Sequence, residues 1–302
     1  MLYNEYVFYL DEVIILENFL KRVAAIHDLS GIGRCSLSVI LPTLSVMGIQ
    51  VVPVPTAILS AHTGGFGEIE LRDLTEYISP ALEHYKKLGE KFDCVYSGFL
   101  ASTDQIDHCL EFFSSYKNSL KVVDTVMGDN GKPYKTCTEA LRRRMAELVA
   151  VADIITPNVT EAKMLLGENP DIFPMTTSEA KSRLVRLAEK GPDIVVITGA
   201  DMADGTKCNI GFDKRNSSFW KVPFSYVPVN YPGTGDIFAS VLVGAILQGD
   251  SLPIAISRAT DFLEFTIKTT YSFGTEARYG VMLERTLHRL AENKDAEGFE
   301  PL

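Results

Sequence analysis

Short runs of β-branched and other apolar residues alternate with helical stretches along most of this chain, and no other feature limits its possible folds as sharply. Val23–Ile26 precedes a helical stretch at 34–47, Val51–Leu59 one at 71–88, and Cys94–Ser97 one at 103–117. Lys121–Asp124 precedes one at 138–150, Asp153–Thr156 one at 159–166, and a helix at 177–190 leads into Ile194–Thr198. Strands that are apolar throughout need cover on both faces, and helices between them supply it. The expectation is an α/β fold with a central, mostly parallel sheet and helices on both sides. Residues 206–222 interrupt the alternation. There Lys207–Phe212 and Ser218–Val222 flank a polar turn, which predicts a small antiparallel hairpin at the sheet edge. Helices are expected at 234–247, 253–270 and 281–293, with a polar, frayed tail over Lys294–Leu302.

One stretch is chemically more demanding than the rest: Asn230-Tyr231-Pro232-Gly233-Thr234-Gly235-Asp236, followed by the apolar Ile237–Leu247. A proline and two glycines break the chain, and the helix that follows has no polar stripe, so it should be buried. Its first N–H groups have no partners inside the helix. Gly233 and Gly235 lack side chains, so those donors can approach an anion, which the helix dipole also favours. Asp236 would stand beside that anion, either accepting a proton from an attacking hydroxyl or capping the helix.

With 46% hydrophobic and 23% charged residues over 302, the chain suits one large α/β domain, and no linker, repeat or low-complexity tract divides it. The net charge, 29 − 39 = −10, argues against nucleic-acid binding but not against an anionic nucleotide held by local donors. No apolar run approaches membrane-spanning length. Residues 1–20 lack a basic start and carry Asp11, Glu12 and Glu17 inside the apolar run, unlike a signal peptide. Five dispersed cysteines, with no CxxC pair, read as reduced thiols of a cytoplasmic protein.

Ligands of such sheets bind beyond the carboxyl ends of the strands, so the polar residues there are the candidates. His27–Arg34 follows the first strand, with glycines that suit a ligand or a simple turn. Ser60–Gly67 follows the second, and a lone His62 there is more often structural than a base. Phe99, after the third, could stack on a ring or merely pack. Asp124 and Asp129 follow the fourth, and Thr156-Pro157-Asn158-Val159-Thr160-Glu161 follows the fifth. Such oxygen ligands suit Mg²⁺, which binds one or two carboxylates together with substrate phosphates, although each acid singly could be a cap. The chain has no P-loop, nucleophile-elbow or HExxH signature.

Taken in order, Asp124–Asp129, Thr156-Pro157-Asn158-x-x-Glu161, Gly191–Thr198 and Gly233-Thr234-Gly235-Asp236 resemble the vitamin B6 (pyridoxal/pyridoxamine) kinases of the ribokinase-like superfamily, from about residue 22 to 290. The loop Ala61-His62-Thr63-Gly64 is similar to the B6 branch in particular, and His-Asp-Leu-Ser-Gly-x-Gly-Arg-Cys-Ser to its pyridoxamine kinases. The resemblance implies a ribokinase-like domain over 22–302, residues 1–21 outside the match, a homodimer, and ATP-dependent phosphorylation of a B6 vitamer's 5′-hydroxymethyl group. Asp236 would be the base, with Gly233, Thr234 and Gly235 forming the anion hole. Asp28, Thr63 and Phe99 would face the vitamer. Asn158, Thr198, Gly199, Asp124, Glu161 and Tyr134 would serve ATP. Asp124, Asp129 and Glu161 would organise Mg²⁺, and Thr156 a monovalent cation such as K⁺ or Na⁺.

Two residues depart from the family's pattern: Asp28 stands where many pyridoxal kinases have Ser, and Phe99 where they have Tyr. Hydroxymethylpyrimidine kinases of thiamine synthesis also carry Asp at the first position, which makes them the alternative. They typically have Cys where this chain has Asp236. A non-catalytic binder of pyridoxal phosphate is the remaining alternative, and the intact Gly-Thr-Gly-Asp stretch argues against it.

Overall fold

A computed structural model describes residues 20–170, 173–291 and 298–302. The expected N-terminal extension lies outside the described residues as far as residue 19. The first half of the chain forms β1 (Arg22–Ile32), α1 (Leu37–Val46), β2 (Gln50–Ala61), β3 (Leu71–Asp73), α2 (Thr75–Leu88), β4 (Cys94–Ser97), α3 (Thr103–Ser115) and β5 (Leu120–Val123). A two-strand flap follows, β6 (Gly128–Asp129) and β7 (Lys132–Pro133), then α4 (Glu139–Val151), β8 (Ile154–Ile155), α5 (Val159–Leu165) and α6 (Thr177–Ala188). The remainder is β9 (Ile194–Asp201), β10 (Lys207–Asp213), β11 (Ser218–Pro223), α7 (Thr234–Leu247), α8 (Leu252–Ser272), α9 (His288–Ala291) and β12 (Glu300–Pro301).

The main sheet runs β12-β11-β10-β9-β8-β5-β4-β1-β2-β3, with parallel pairing from β9 through β2 and antiparallel strands at both edges. Successive residues of each central strand enter different cores. Ala24, Ile26, Val95, Val123 and Val195 pack under α2–α6, while Val23, Ala25, Tyr96, Val122 and Val196 pack under α1, α7 and α8. This double cover is why the strands read as unbroken apolar runs. Helix α7 is buried continuously from Ile237 to Ala245, and each large apolar side chain so placed contributes about 1.5–3 kcal/mol.

Four details differ from the sequence expectation. Strands β1 and β2 run past their apolar runs to Ile32 and Ala61, with a register shift between His27 and Leu29, so Asp28 lies within β1 rather than after it. Pairing with a neighbour holds Asp, Ser and Gly extended there despite their poor strand propensity. Leu71–Asp73, expected to begin a helix, instead pairs with β2 as β3. Of the helix expected over 281–293, the described residues 281–291 form only short turns and α9, and Thr270 Oγ1 accepts from Met282 N (2.8 Å), which holds the chain against α8. Finally, the end of the expected frayed tail is ordered as β12 on β11: Leu302 N donates to Phe219 O, and Glu300 pairs with Lys221. Residues 292–297 lie outside the described residues.

Candidate active site

A cleft of about 990 Å³ opens at the carboxyl ends of the parallel strands, where crossover connections leave the sheet edge uncovered. Every candidate residue from the sequence lines it: Asp28 from β1, Thr63 after β2, Phe99 after β4, Asp124 after β5, and Thr156, Asn158 and Glu161 around the start of α5. Thr198 and Gly199 enter from β9, Asp129 and Tyr134 from the flap, and Gly233–Asp236 from the start of α7.

Gly233 caps α7 in a left-handed conformation (φ 80°), and a Cβ there would lie 1.9 Å from the Arg34 carbonyl oxygen. Only glycine lets the α7 turn sit against the turn between β1 and α1. The Ile237 N–H already bonds the Gly233 carbonyl (3.0 Å), which leaves the amides of 234–236 as the helix's open donors. Asp236 stands in that first turn, and its Oδ2 accepts from the Ser36 N–H at 2.8 Å. Burial, then the charge of Asp124, push its carboxyl up to about 8, with the Ser36 amide opposing them. An Asp that merely capped the helix would accept from its own first-turn amides. This one instead accepts from another segment.

Asp28 is buried in the cleft wall and accepts from Ser30 Oγ at 2.9 Å; burial raises its pKa. It does not cap α1, whose cap residue is Ser36, without a side-chain cap bond.

Asp124 is buried, and both burial and the nearby Glu161 raise its pKa. Glu161 is raised by burial too, although backbone amides hold its charge. Its Oε1 accepts from Met127 N (2.9 Å) and Gly128 N (3.4 Å), and its Oε2 from Asn158 N (3.0 Å). Asn158 caps α5 in return, accepting from Glu161 N and donating Nδ2 to the Gly128 carbonyl at 2.8 Å. Glu161, expected to serve ATP and metal, and Asn158, expected to serve ATP, are therefore both engaged in holding the flap against α5. Asp129 reaches across the cleft mouth to Asn230 Nδ2 (3.4 Å).

Among the described residues no group of three His, Cys, Asp or Glu side chains could hold a metal ion alone. The donor set still fits Mg²⁺, which needs few protein oxygens when phosphates and waters complete its shell. Asp124 has the carboxylate available for it. The Thr156 hydroxyl, buried beside Asp124 without a well-formed hydrogen bond, is an unspent oxygen for a cation.

Three contributors escaped the sequence. Ser36 adopts φ 49°, a left-handed conformation rare for serine, and nothing in its neighbours announces it. Asn209 accepts from Gly199 N (3.0 Å) and donates to Thr260 Oγ1 (2.9 Å), which fixes the β9 end. Arg278 lines the cleft from the segment after α8, which the sequence reading left without a role.

The strand order and the position of this cleft define a ribokinase-like α/β kinase fold. The pyridoxal kinase of Lactobacillus plantarum superposes with a TM-score of 0.82 at 29% identity, over 90% of this chain and 96% of that one. A Bacteroides thetaiotaomicron protein assigned to the phosphomethylpyrimidine kinases superposes at 0.90 with 39% identity, over 94% and 99% of the two chains. Its orthorhombic crystal form is with pyridoxal. The sequence profile of the phosphomethylpyrimidine kinases matches residues 41–281, and the chain belongs to that family. The chloroplastic thiamine biosynthetic bifunctional enzyme of Arabidopsis thaliana is 30% identical over 74% of this chain, which spans 42% of that longer protein. No described helix is long and apolar enough to cross a membrane.

Proposed function

We propose that the protein transfers the γ-phosphate of ATP to the 5′-hydroxymethyl group of a B6 vitamer (pyridoxamine, pyridoxal or pyridoxine), yielding ADP and that vitamer's 5′-phosphate in pyridoxal phosphate salvage. The observation that carries this reading is Asp236, raised to about 8 and standing among the open amides of α7. Such a carboxylate can accept the hydroxyl proton as the oxygen attacks. The same amides receive the charge of the migrating phosphoryl group, since phosphoryl transfer is mostly positioning and charge neutralisation. Mg²⁺, when bound, neutralises charge on the ATP phosphates, and Asp124 would hold it. Gly199, Thr198 and the flap residue Tyr134 suit the nucleotide side of the cleft, and Thr63, Phe99 and Asp28 the ring side.

The Bacteroides relative's crystal form with pyridoxal supports a B6 vitamer. The family profile and the Arabidopsis relative support hydroxymethylpyrimidine as the second reading. Asp28 bears on the choice, because a carboxylate accepting hydrogen bonds favours acceptors that present N–H groups, as pyridoxamine and the amino-pyrimidine do and pyridoxal's aldehyde does not. The deciding experiment assays ADP release with Mg-ATP and pyridoxal, pyridoxine, pyridoxamine or hydroxymethylpyrimidine, in wild type and Asp28→Ser. Turnover of a B6 vitamer, with a pyridoxamine preference that drops at least about fivefold in the serine variant, is expected. Turnover of hydroxymethylpyrimidine alone would overturn the B6 assignment, and an unchanged vitamer ratio would leave Asp28 structural. A homodimer belongs to the same proposal, and a monomer mass by light scattering would remove it.

A further inference from the structure

His62 looks idle from the sequence, yet its ring is the point at which three separate segments of the cleft wall meet. Its own backbone N–H bonds the Ile32 carbonyl at the end of β1 (3.1 Å). In the side chain, Nδ1 accepts from the Gly64 N–H at 3.0 Å, and Nε2 lies 2.6 Å from the Arg278 carbonyl oxygen. An amide can only donate and a carbonyl can only accept, so the two partners define one neutral tautomer with the proton on Nε2. The ring lies flush on Gly33, where a Cβ would come within 2.1 Å of His62 Cδ2.

The contact with Arg278 extends into a clasp. Phe66 packs edge-on against both His62 and Tyr279, with ring centroids 5.0 Å and 5.5 Å away. The Arg278 guanidinium lies 5.3 Å from the centroids of Phe66 and Tyr279 and donates to the Gly65 carbonyl at 3.3 Å. On the other side of Gly33, Arg34 donates to the Tyr279 carbonyl (3.0 Å) and to Glu284 (2.9 Å). The turn after β1 is thus pinned between this clasp and Gly233, and it is the turn that presents the Ser36 amide to Asp236.

We propose that His62 is a positioning residue that sets the loop carrying Thr63 and the turn supporting Asp236 as one unit, so that the acceptor's ring and its hydroxyl are held together. This rests on the kinase reading above. A histidine that merely filled space would show no dependence on which ring nitrogen is retained. Asn at position 62 mimics Nδ1 and keeps the Gly64 bond but cannot reach Arg278. Gln mimics Nε2 and can still donate to the Arg278 carbonyl.

The test measures kcat and KM for ATP and for the acceptor that wild type phosphorylates, in His62→Asn and His62→Gln, with thermal melts alongside. His62→Asn should raise the acceptor KM about tenfold, the loss of one buried hydrogen bond, while the ATP KM stays within about twofold. His62→Gln should restore the acceptor KM to within about threefold of wild type. Equal KM values in all three proteins would overturn the inference, as would Asn and Gln impaired alike or a loss shared equally by ATP. If His62→Asn fails to fold, Arg278→Ala opens the same clasp at its exposed guanidinium, and an unchanged acceptor KM there would refute it. A wild type that phosphorylates none of the acceptors would instead sink the kinase reading, and this inference with it.

Discussion

Asp236→Asn should produce a protein that is nearly dead as a catalyst and more stable than wild type, with the difference growing as pH rises. Asparagine keeps an oxygen for the Ser36 amide, 2.8 Å from the present carboxylate, but it accepts no proton. Losing a general base costs about 10²–10⁴ in rate. The stability half follows from linkage. The Asp236 carboxyl is raised from 3.8 to about 8, first by burial and then by Asp124. Between those values the folded chain holds a proton that the unfolded chain has released, so stability falls as pH rises through the window. At pH 8 the largest possible effect is about 5 kcal/mol. The carboxyl is partly open to the cleft, and solvent screening reduces this to about 2 kcal/mol. The asparagine variant should therefore melt about 3 °C above wild type at pH 8, with the gap closing toward pH 4. Steady-state ADP release and thermal melts at pH 4, 6 and 8 test both halves. More than about a tenth of wild-type turnover, or a melting difference that ignores pH, would refute the reasoning.

Asp124→Ala should weaken use of Mg-ATP, with partial rescue by excess Mg²⁺, whereas Glu161→Ala should lower the melting temperature and resist rescue. The latter strands the amides of Met127, Gly128 and Asn158, at about 1–3 kcal/mol for each buried group left unpaired; Mg²⁺ titrations and melts separate the two. Gly233→Ala should disrupt the α7 turn, since its Cβ would meet Arg34 O at 1.9 Å. Gly235→Ala, with nothing within 4 Å, should fold normally and lose ATP turnover, which circular dichroism with kinetics will distinguish. His27 is buried against Tyr96, and burial lowers it from 6.5 to about 3. As pH falls below 6.5 the unfolded chain gains a proton that the folded chain cannot take, which removes about 2 kcal/mol of stability by pH 5. His27→Leu should flatten that slope in urea titrations between pH 7 and 5, and an unchanged slope would refute it.

Periodicity and local chain breaks are written in the sequence because they depend only on neighbouring residues. The unbroken apolar strands required a doubly covered parallel sheet. The apolar run after Gly233-Thr234-Gly235-Asp236 required a buried helix start with open amides, and residues 234–247 form it as expected. Asp124 and Glu161 were legible for the same reason, since both follow strands that could be read, whereas Asp28 lies inside β1, whose end could not. Only tertiary structure decided what those residues do to one another. Glu161 is taken up by the flap amides, and Asp236 in α7 owes its raised pKa to burial and to Asp124, which follows β5 more than a hundred residues earlier in the chain. Strands β1 and β2 lengthen past residues that resist extension because each supplies the other's hydrogen bonds. His62 acquires its role from a carbonyl 216 residues away. Pairings of that range are settled by chain topology and burial, to which a local reading of residue types has no access.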